Sequence, residues 1–281
     1  DSRFYSDPGD PGRLILELKD PASTPPVTVA DLPVDKDEPD RWKLDCIVID
    51  PGHGGKDPGT LVGNVYEKDI ALAVAKKLGR YIEENLGIRV VYTREDDRFV
   101  ELRERGHIAN EAGGKLFISL HVNYMPGSRR TQRRVQGTET YFLGLHKSDA
   151  ARSVMERENA VIKLESNPDF YASFDESALI LQTLAHSSYL QASEQLAALV
   201  EREFSTRAKR ISRGVKQAGF LVLWSASMPA ILVELGYLSH PKEAKFLQSE
   251  RGQTLLASAI FRAVRTFKAE YEKGLDFALR Q

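Results

Sequence analysis

From Lys43 onward, apolar runs of two kinds alternate along the chain. Short runs at 44–50, 88–93, 116–121, 138–143, 220–223 and 230–235 have the length and composition of strands largely shielded from water. Between them the apolar spacing changes to threes and fours. Residues 67–84 place Ile70, Val74, Leu78 and Ile82 on one stripe of a helix. Two helices close the chain, the last carrying Leu255, Leu256, Ile260, Val264, Phe267 and Tyr271. Asp96 and Asp97 are candidate caps for a helix through about residue 112, which Gly113 and Gly114 end. Strands alternating with helices predict an α/β sheet covered on both faces.

Two stretches break this rhythm. Residues 1–42 are proline-rich and read as an extended linker, with RLILELK at 13–19 as a lone strand or the tail of an upstream domain. The remainder, 43–281, reads as one domain. Within it, 148–210 puts about sixty residues of mostly helical pattern between two strands that a single crossover helix would join, so this segment is predicted to be an insertion.

Composition narrows the functional classes. The 281 residues are 42% apolar, enough for a substantial core. A net charge of −1 offers no global attraction to nucleic acid or to anionic lipid. Arg129, Arg130, Arg133 and Arg134 form the one dense basic run and read as a solvated loop. The single cysteine, Cys46, lies inside a strand-like run, which suits a buried hydrophobe better than a nucleophile. No stretch approaches the roughly 20 apolar residues of a membrane span. A serine-hydrolase elbow is absent, and GHGGKDPGT lacks the GK[ST] ending of a phosphate-binding loop.

The remaining chemistry gathers at strand ends. In open α/β sheets ligands bind beyond the carboxyl ends of the strands. His53 follows the strand ending at Asp50, His121 ends its own strand, and Glu67 opens a helix that starts at the same edge. Two imidazoles and a carboxylate can hold a zinc ion and leave a position open for water. Glu234 sits near the end of AILVEL, where an unpaired carboxylate costs several kcal/mol to bury, so a cation or a hydrogen-bond partner is expected beside it. Such a carboxylate is placed to move a proton. His107, His146, His186 and His240 receive no role.

The runs IVIDPGHGGKDPGT, VYEKDIAL, SLHVN and MPAILVELGYLS, in that order over about residues 45–272, resemble the zinc-dependent N-acetylmuramoyl-L-alanine amidases of the periplasmic AmiA, AmiB and AmiC type. The resemblance implies a mixed, largely parallel sheet flanked by helices, zinc held by His53, Glu67 and His121, and Glu234 as the catalytic carboxylate. It also implies peptidoglycan as substrate, cut between the lactyl group of N-acetylmuramic acid and the first L-alanine of the stem peptide. A periplasmic or secreted location goes with it; no signal peptide opens the chain, which begins at Asp1 rather than Met and so reads as processed or truncated, with a removed export signal allowed. The alternatives are a zinc peptidase or deacetylase acting on another cell-wall amide, and a catalytically silent peptidoglycan-binding module.

The insertion has its own reading. Ala151, Val154, Met155, Val161 and Ile162 form an apolar stripe with Glu158 in its middle. A glutamate there needs a partner, and Arg157 or Lys163 would serve. The RENA stretch also resembles the family's regulatory insertion, which implies Glu158 as an inhibitory fourth zinc ligand on an autoinhibitory lid. The same resemblance implies an activator protein of LytM type. Leu179, Leu184, Leu190, Leu196, Leu199, Val200 and Phe204 follow, and part of that run is expected to cover the sheet.

Overall fold

The computed structural model describes residues 3–7, 10–17, 43–185 and 187–279. Strands β1 (Arg3–Asp7) and β2 (Asp10–Glu17) pair antiparallel, so the RLILELK run contributes to a two-stranded ribbon rather than to a lone strand. Residues 18–42, the rest of the expected linker, lie outside the described residues.

The domain proper begins with β3 (Cys46–Pro51), followed by a ribbon of β4 (Leu61–Val62) and β5 (Val65–Tyr66), helix α1 (Glu67–Leu86) and β6 (Arg89–Tyr92). Helix α2 (Leu102–Glu111), β7 (Leu116–Asn123), the single turn α3 (Arg129–Gln132) and β8 (Thr138–Leu143) come next. Then follow α4 (Asp149–Asn159), two 3-10 turns over 160–164 and 168–173, α5 (Glu176–Ala185) and α6 (Ser187–Thr206). Strand β9 (Ser212–Ala218), the turn α7 (Leu221–Trp224), β10 (Ala230–Tyr237), α8 (Pro241–Gln248) and α9 (Glu250–Leu279) complete the chain.

Six strands form one sheet in the order β6-β3-β7-β10-β8-β9. The first four run parallel, β8 is antiparallel to β10, and β9 is parallel to β8. The sheet is therefore mixed and largely parallel. Strands β3, β7, β8 and β10 are buried along their whole length, because helices cover both faces.

One face carries α1, α6 and α9. The α1 stripe of Ile70, Val74, Leu78 and Ile82 is buried there, and each such side chain contributes roughly 1.5–3 kcal/mol. Gly87 ends α1 in the left-handed region, returning its N–H to the Glu83 carbonyl. The opposite face packs α2, α4 and α7 on Val48, Phe117, Tyr141 and Leu232.

Three expectations are corrected. Residues 220–223 are a helical turn, α7, and the neighbouring strand is β9. The sequence of β9, SRGVKQA, has no apolar alternation because it is an edge strand, whereas FLVLW is buried as a plug against the sheet. Helix α2 starts at Leu102, not after Asp97, since residues 94–101 leave the helical path to meet two arginine side chains described below. Lastly, the insertion is shorter than 148–210: Leu196, Val200 and Phe204 of α6 are fully buried against the sheet, so α6 is the crossover helix between β8 and β9.

Candidate metal centre

The loop after β3 is drawn tight by two buried arginines. Arg94 donates to the carbonyls of Pro51, Gly52, Lys68 and Asp96. Arg105 donates to the carbonyls of Pro51, Val100 and His53, and pairs with Asp50 at 2.8 Å. Asp50 also accepts from the hydroxyls of Thr93 and Ser119. Burial opposes its ionisation, yet Arg105 and these hydroxyls outweigh that and hold its pKa below the usual range. The clamp secures His53 at φ 60, a left-handed conformation that a residue with a β-carbon adopts only under constraint.

From that backbone the His53 ring is fixed by Asp57, four residues on, whose Oδ2 accepts from Nδ1 at 2.6 Å. Nε2 is thereby turned to the interior, as a carboxylate orients a ligating histidine. His121, next to the last two residues of β7, presents Nδ1 to the same point. Its ring lies against Gly52, where a β-carbon would sit 2.5 Å from ring atoms, so any side chain here would push the ring out of place. Gly59 is required twice over, by φ 64 and by contact with His53 and Glu67.

Glu67, the first residue of α1, is fully buried. Its Oε1 accepts from the backbone of Val122 at 2.7 Å and lies 3.2 Å and 3.1 Å from His53 Nε2 and His121 Nδ1. Oε2 accepts from the backbone of Thr60.

The fourth member comes from α4. Glu158 Oε2 lies 3.1 Å from His53 Nε2 and 3.0 Å from His121 Nδ1, while Arg157 Nε donates to Oε1 at 3.1 Å. Of the two cationic partners expected for Glu158, Arg157 is the one it meets, and the histidine cluster adjoins it as well. One ligand atom from each of His53, Glu67, His121 and Glu158 falls within 4.8 Å of the others.

The electrostatics of this cluster call for positive charge. Burial alone would lower both histidine pKa values, but Glu67, Asp57 and Glu158 outweigh it, placing His53 well above its ordinary value and His121 at about 9. Burial and Glu67 oppose the ionisation of Glu158, yet the imidazoles bring its pKa down to about 2. A divalent cation satisfies the same demand, and two imidazoles with two carboxylates form a donor set that zinc accepts. His53 Nε2 and Glu158 Oε2 have no hydrogen-bond partner among the described residues, which fits that reading.

Glu234 stands beside the cluster rather than in it. It is fully buried, and neither carboxylate oxygen has a hydrogen-bond partner among the described residues. The nearest cation is Arg157, whose Nη2 lies 3.8 Å from Oε1. Burial first, and the charge of Glu158 next, raise the Glu234 pKa well above the carboxylate range. Such a group is equipped to hold and release a proton.

Sequence reasoning passed over Asp57, Arg94 and Arg105. Asp57 had a signal in its spacing of four residues from His53. The two clamp arginines had none, since their partners are mostly backbone carbonyls.

Residues 47–266 match the Amidase_3 family, described as N-acetylmuramoyl-L-alanine amidase. The chain is 31% identical over 227 residues to the N-acetylmuramoyl-L-alanine amidase AmiA of Escherichia coli, covering 79% of this chain and 75% of that one. It is 32% identical to AmiC of Neisseria meningitidis, covering 79% of this chain and 52% of the relative. Among solved structures, an N-acetylmuramoyl-L-alanine amidase from Clostridium difficile 630 superposes with a TM-score of 0.60 at 28% identity, over 80% of this chain and 97% of that one. The CwlD amidase from Clostridioides difficile, solved in complex with the GerS lipoprotein, gives 0.59 at 25% identity, over 80% and 99%. The family match over residues 47–266, with likeness in sequence and fold over about four fifths of the chain, places this protein in the N-acetylmuramoyl-L-alanine amidase family of hydrolases.

Proposed function

We propose that the chain is a zinc-dependent peptidoglycan amidase that hydrolyses the amide between the lactyl group of N-acetylmuramic acid and the L-alanine of the stem peptide, and that α4 holds it inactive at rest. The observation that carries this reading is the position of Glu158, which reaches from the inserted segment to both imidazoles. His53, Glu67 and His121 would hold the zinc, and Glu158 would be a fourth donor to it.

Zinc, when bound, polarises the amide carbonyl and acidifies a neighbouring water. The chain's own groups do the rest. Asp57 keeps the His53 Nδ1 proton in place, so that Nε2 remains free to ligate. Glu234 accepts the proton of the attacking water and passes it to the leaving amine of L-alanine. In the resting arrangement Arg157 is anchored on the Asn123 side chain and the Tyr124 carbonyl, and it steadies Glu158 over the site. Substrate and Glu158 compete for one position, so hydrolysis requires α4 to move.

Something must favour that movement. Ile180, Leu181 and Leu184 of α5 are exposed on the segment that follows α4, an apolar face suited to a protein activator of LytM type. A relative solved with a lipoprotein partner is compatible with such control. The substrate places the enzyme outside the cytoplasm, and among the described residues no helix is long and apolar enough to cross a membrane.

The test is digestion of purified sacculi by the zinc-loaded chain and by Glu158→Ala, with muropeptide analysis. Release of intact stem peptides is expected, with Glu158→Ala about tenfold or more faster, since a charge-assisted contact of ~1.5–3 kcal/mol holds the closed state. Cleavage only within the peptides would refute the amidase assignment. Equal rates for the two proteins would refute the autoinhibitory one.

A further inference from the structure

The row of ionisable groups that starts at the histidines does not end at Glu234. Glu139 on β8 is the cross-strand partner of Glu234, so the two side chains share one face of the sheet. Glu139 is 1% exposed. Beyond it, on β9, the register slips by one residue between the Thr138–Ser212 and Thr140–Val215 rungs, with Gly214 at φ 87. A bulge of this kind re-aims neighbouring side chains. Here it brings Arg213 and Lys216 to the same carboxylate: Arg213 Nε lies 2.5 Å from Oε1 and Lys216 Nζ 2.8 Å from Oε2. The Tyr237 hydroxyl donates to Oε1 and the Tyr141 hydroxyl to Oε2.

One carboxylate neutralises only one of these two cations. The surplus charge is not sealed in, because the side chains of Arg213 and Lys216 are 34% and 22% exposed. Arg213 meets Glu139 through Nε rather than through its terminal amino groups, which are the pair best shaped for a carboxylate.

The location matters as much as the charge. Residues 139 and 213 lie at the amino ends of β8 and β9, and these strands oppose β10, so both residues are at the catalytic edge. Three strand spacings separate β7 from β9, roughly 14 Å, and an arginine side chain reaches back several ångströms of that. An extended peptide advances about 3.3 Å per residue, so the guanidinium meets a chain about two to three residues beyond the amide being cut.

We infer that Arg213 and Lys216, held by Glu139, form a carboxylate-binding subsite for the stem peptide. The inference rests on the amidase reading above.

The test uses the zinc-loaded full chain and two synthetic N-acetylmuramoyl tripeptides that differ only in whether the side-chain and α-carboxyl groups beyond L-alanine are free or amidated. The acid form is expected to be preferred about tenfold or more in kcat/KM. Arg213→Gln should abolish that preference through KM, with kcat and melting temperature unchanged, because Lys216 still neutralises Glu139. Arg213→Lys should restore part of it. No preference in the unmodified chain, or an equal loss on both peptides in Arg213→Gln, would overturn the subsite. Should neither peptide be hydrolysed by the unmodified chain or by Glu158→Ala, the amidase reading fails, and equilibrium binding of the same two peptides decides the subsite separately. Tighter binding of the acid form that Arg213→Gln removes supports it, and equal binding overturns it.

Discussion

His121 and Glu234 stand on the same rung of adjacent parallel strands, β7 and β10. Their side chains leave the sheet on one face, so a group facing the metal cluster and a group able to carry a proton are set side by side by backbone pairing alone. The rung separates their roles. Glu234→Gln removes the titrating oxygen but no ligand, so zinc content should be unchanged while turnover falls by about 10²–10⁴. His121→Ala should lose zinc and turnover together. Elemental analysis alongside sacculus digestion checks both, and loss of zinc in Glu234→Gln would make Glu234 a ligand.

Gly52 is where the backbone makes room for a ligand. A β-carbon there would sit 2.5 Å from the His121 ring, so Gly52→Ala should turn the imidazole away from Glu67. Displacing a ligand's support costs metal affinity by about 10–100-fold. Competition with a chelator of known affinity measures this, while an unchanged circular dichroism spectrum shows that the fold survives.

The Asp50–Arg105 pair predicts a pH dependence. Asp50 has a folded-state pKa below its unfolded value, so its contribution to stability is present above the ordinary aspartate range and is lost as pH falls through the folded value. Arg105→Ala leaves a buried carboxylate without its cation, a loss of about 3–5 kcal/mol near neutral pH. The difference between the two proteins in urea denaturation should narrow as pH falls, because burial without Arg105 raises the Asp50 pKa in the variant and lets it take up a proton there first. A gap that stays constant from pH 7 to pH 3 would assign the loss to packing instead.

Helix α6 belongs to the core. Leu196 is fully buried against the sheet, so Leu196→Ala should destabilise the domain by about 2–5 kcal/mol in chemical denaturation. Leu181, on α5 and 61% exposed, should change stability by less than about 0.5 kcal/mol when made Ala. A deletion meant to uncover the site must accordingly spare α6.

The sequence by itself determined the alternation of strands and helices, the α1 stripe, and the gathering of His53, Glu67, His121 and Glu234 at one edge. Those features are local or follow from general rules: period sets the element, and parallel strands share a ligand-binding edge. Glu158 was also legible, as a charge in an apolar stripe. Tertiary structure alone decided the rest. The strand at 212–218 has little apolar signal because it lies at the edge, and FLVLW turned into α7 because burial overrode its strand-like composition. The arginine clamp depends on carbonyls that no side-chain pattern announces. Whether Glu158 would meet Arg157 or the histidines was a question of where α4 docks, and docking is set by packing across the sheet, which no local spacing encodes.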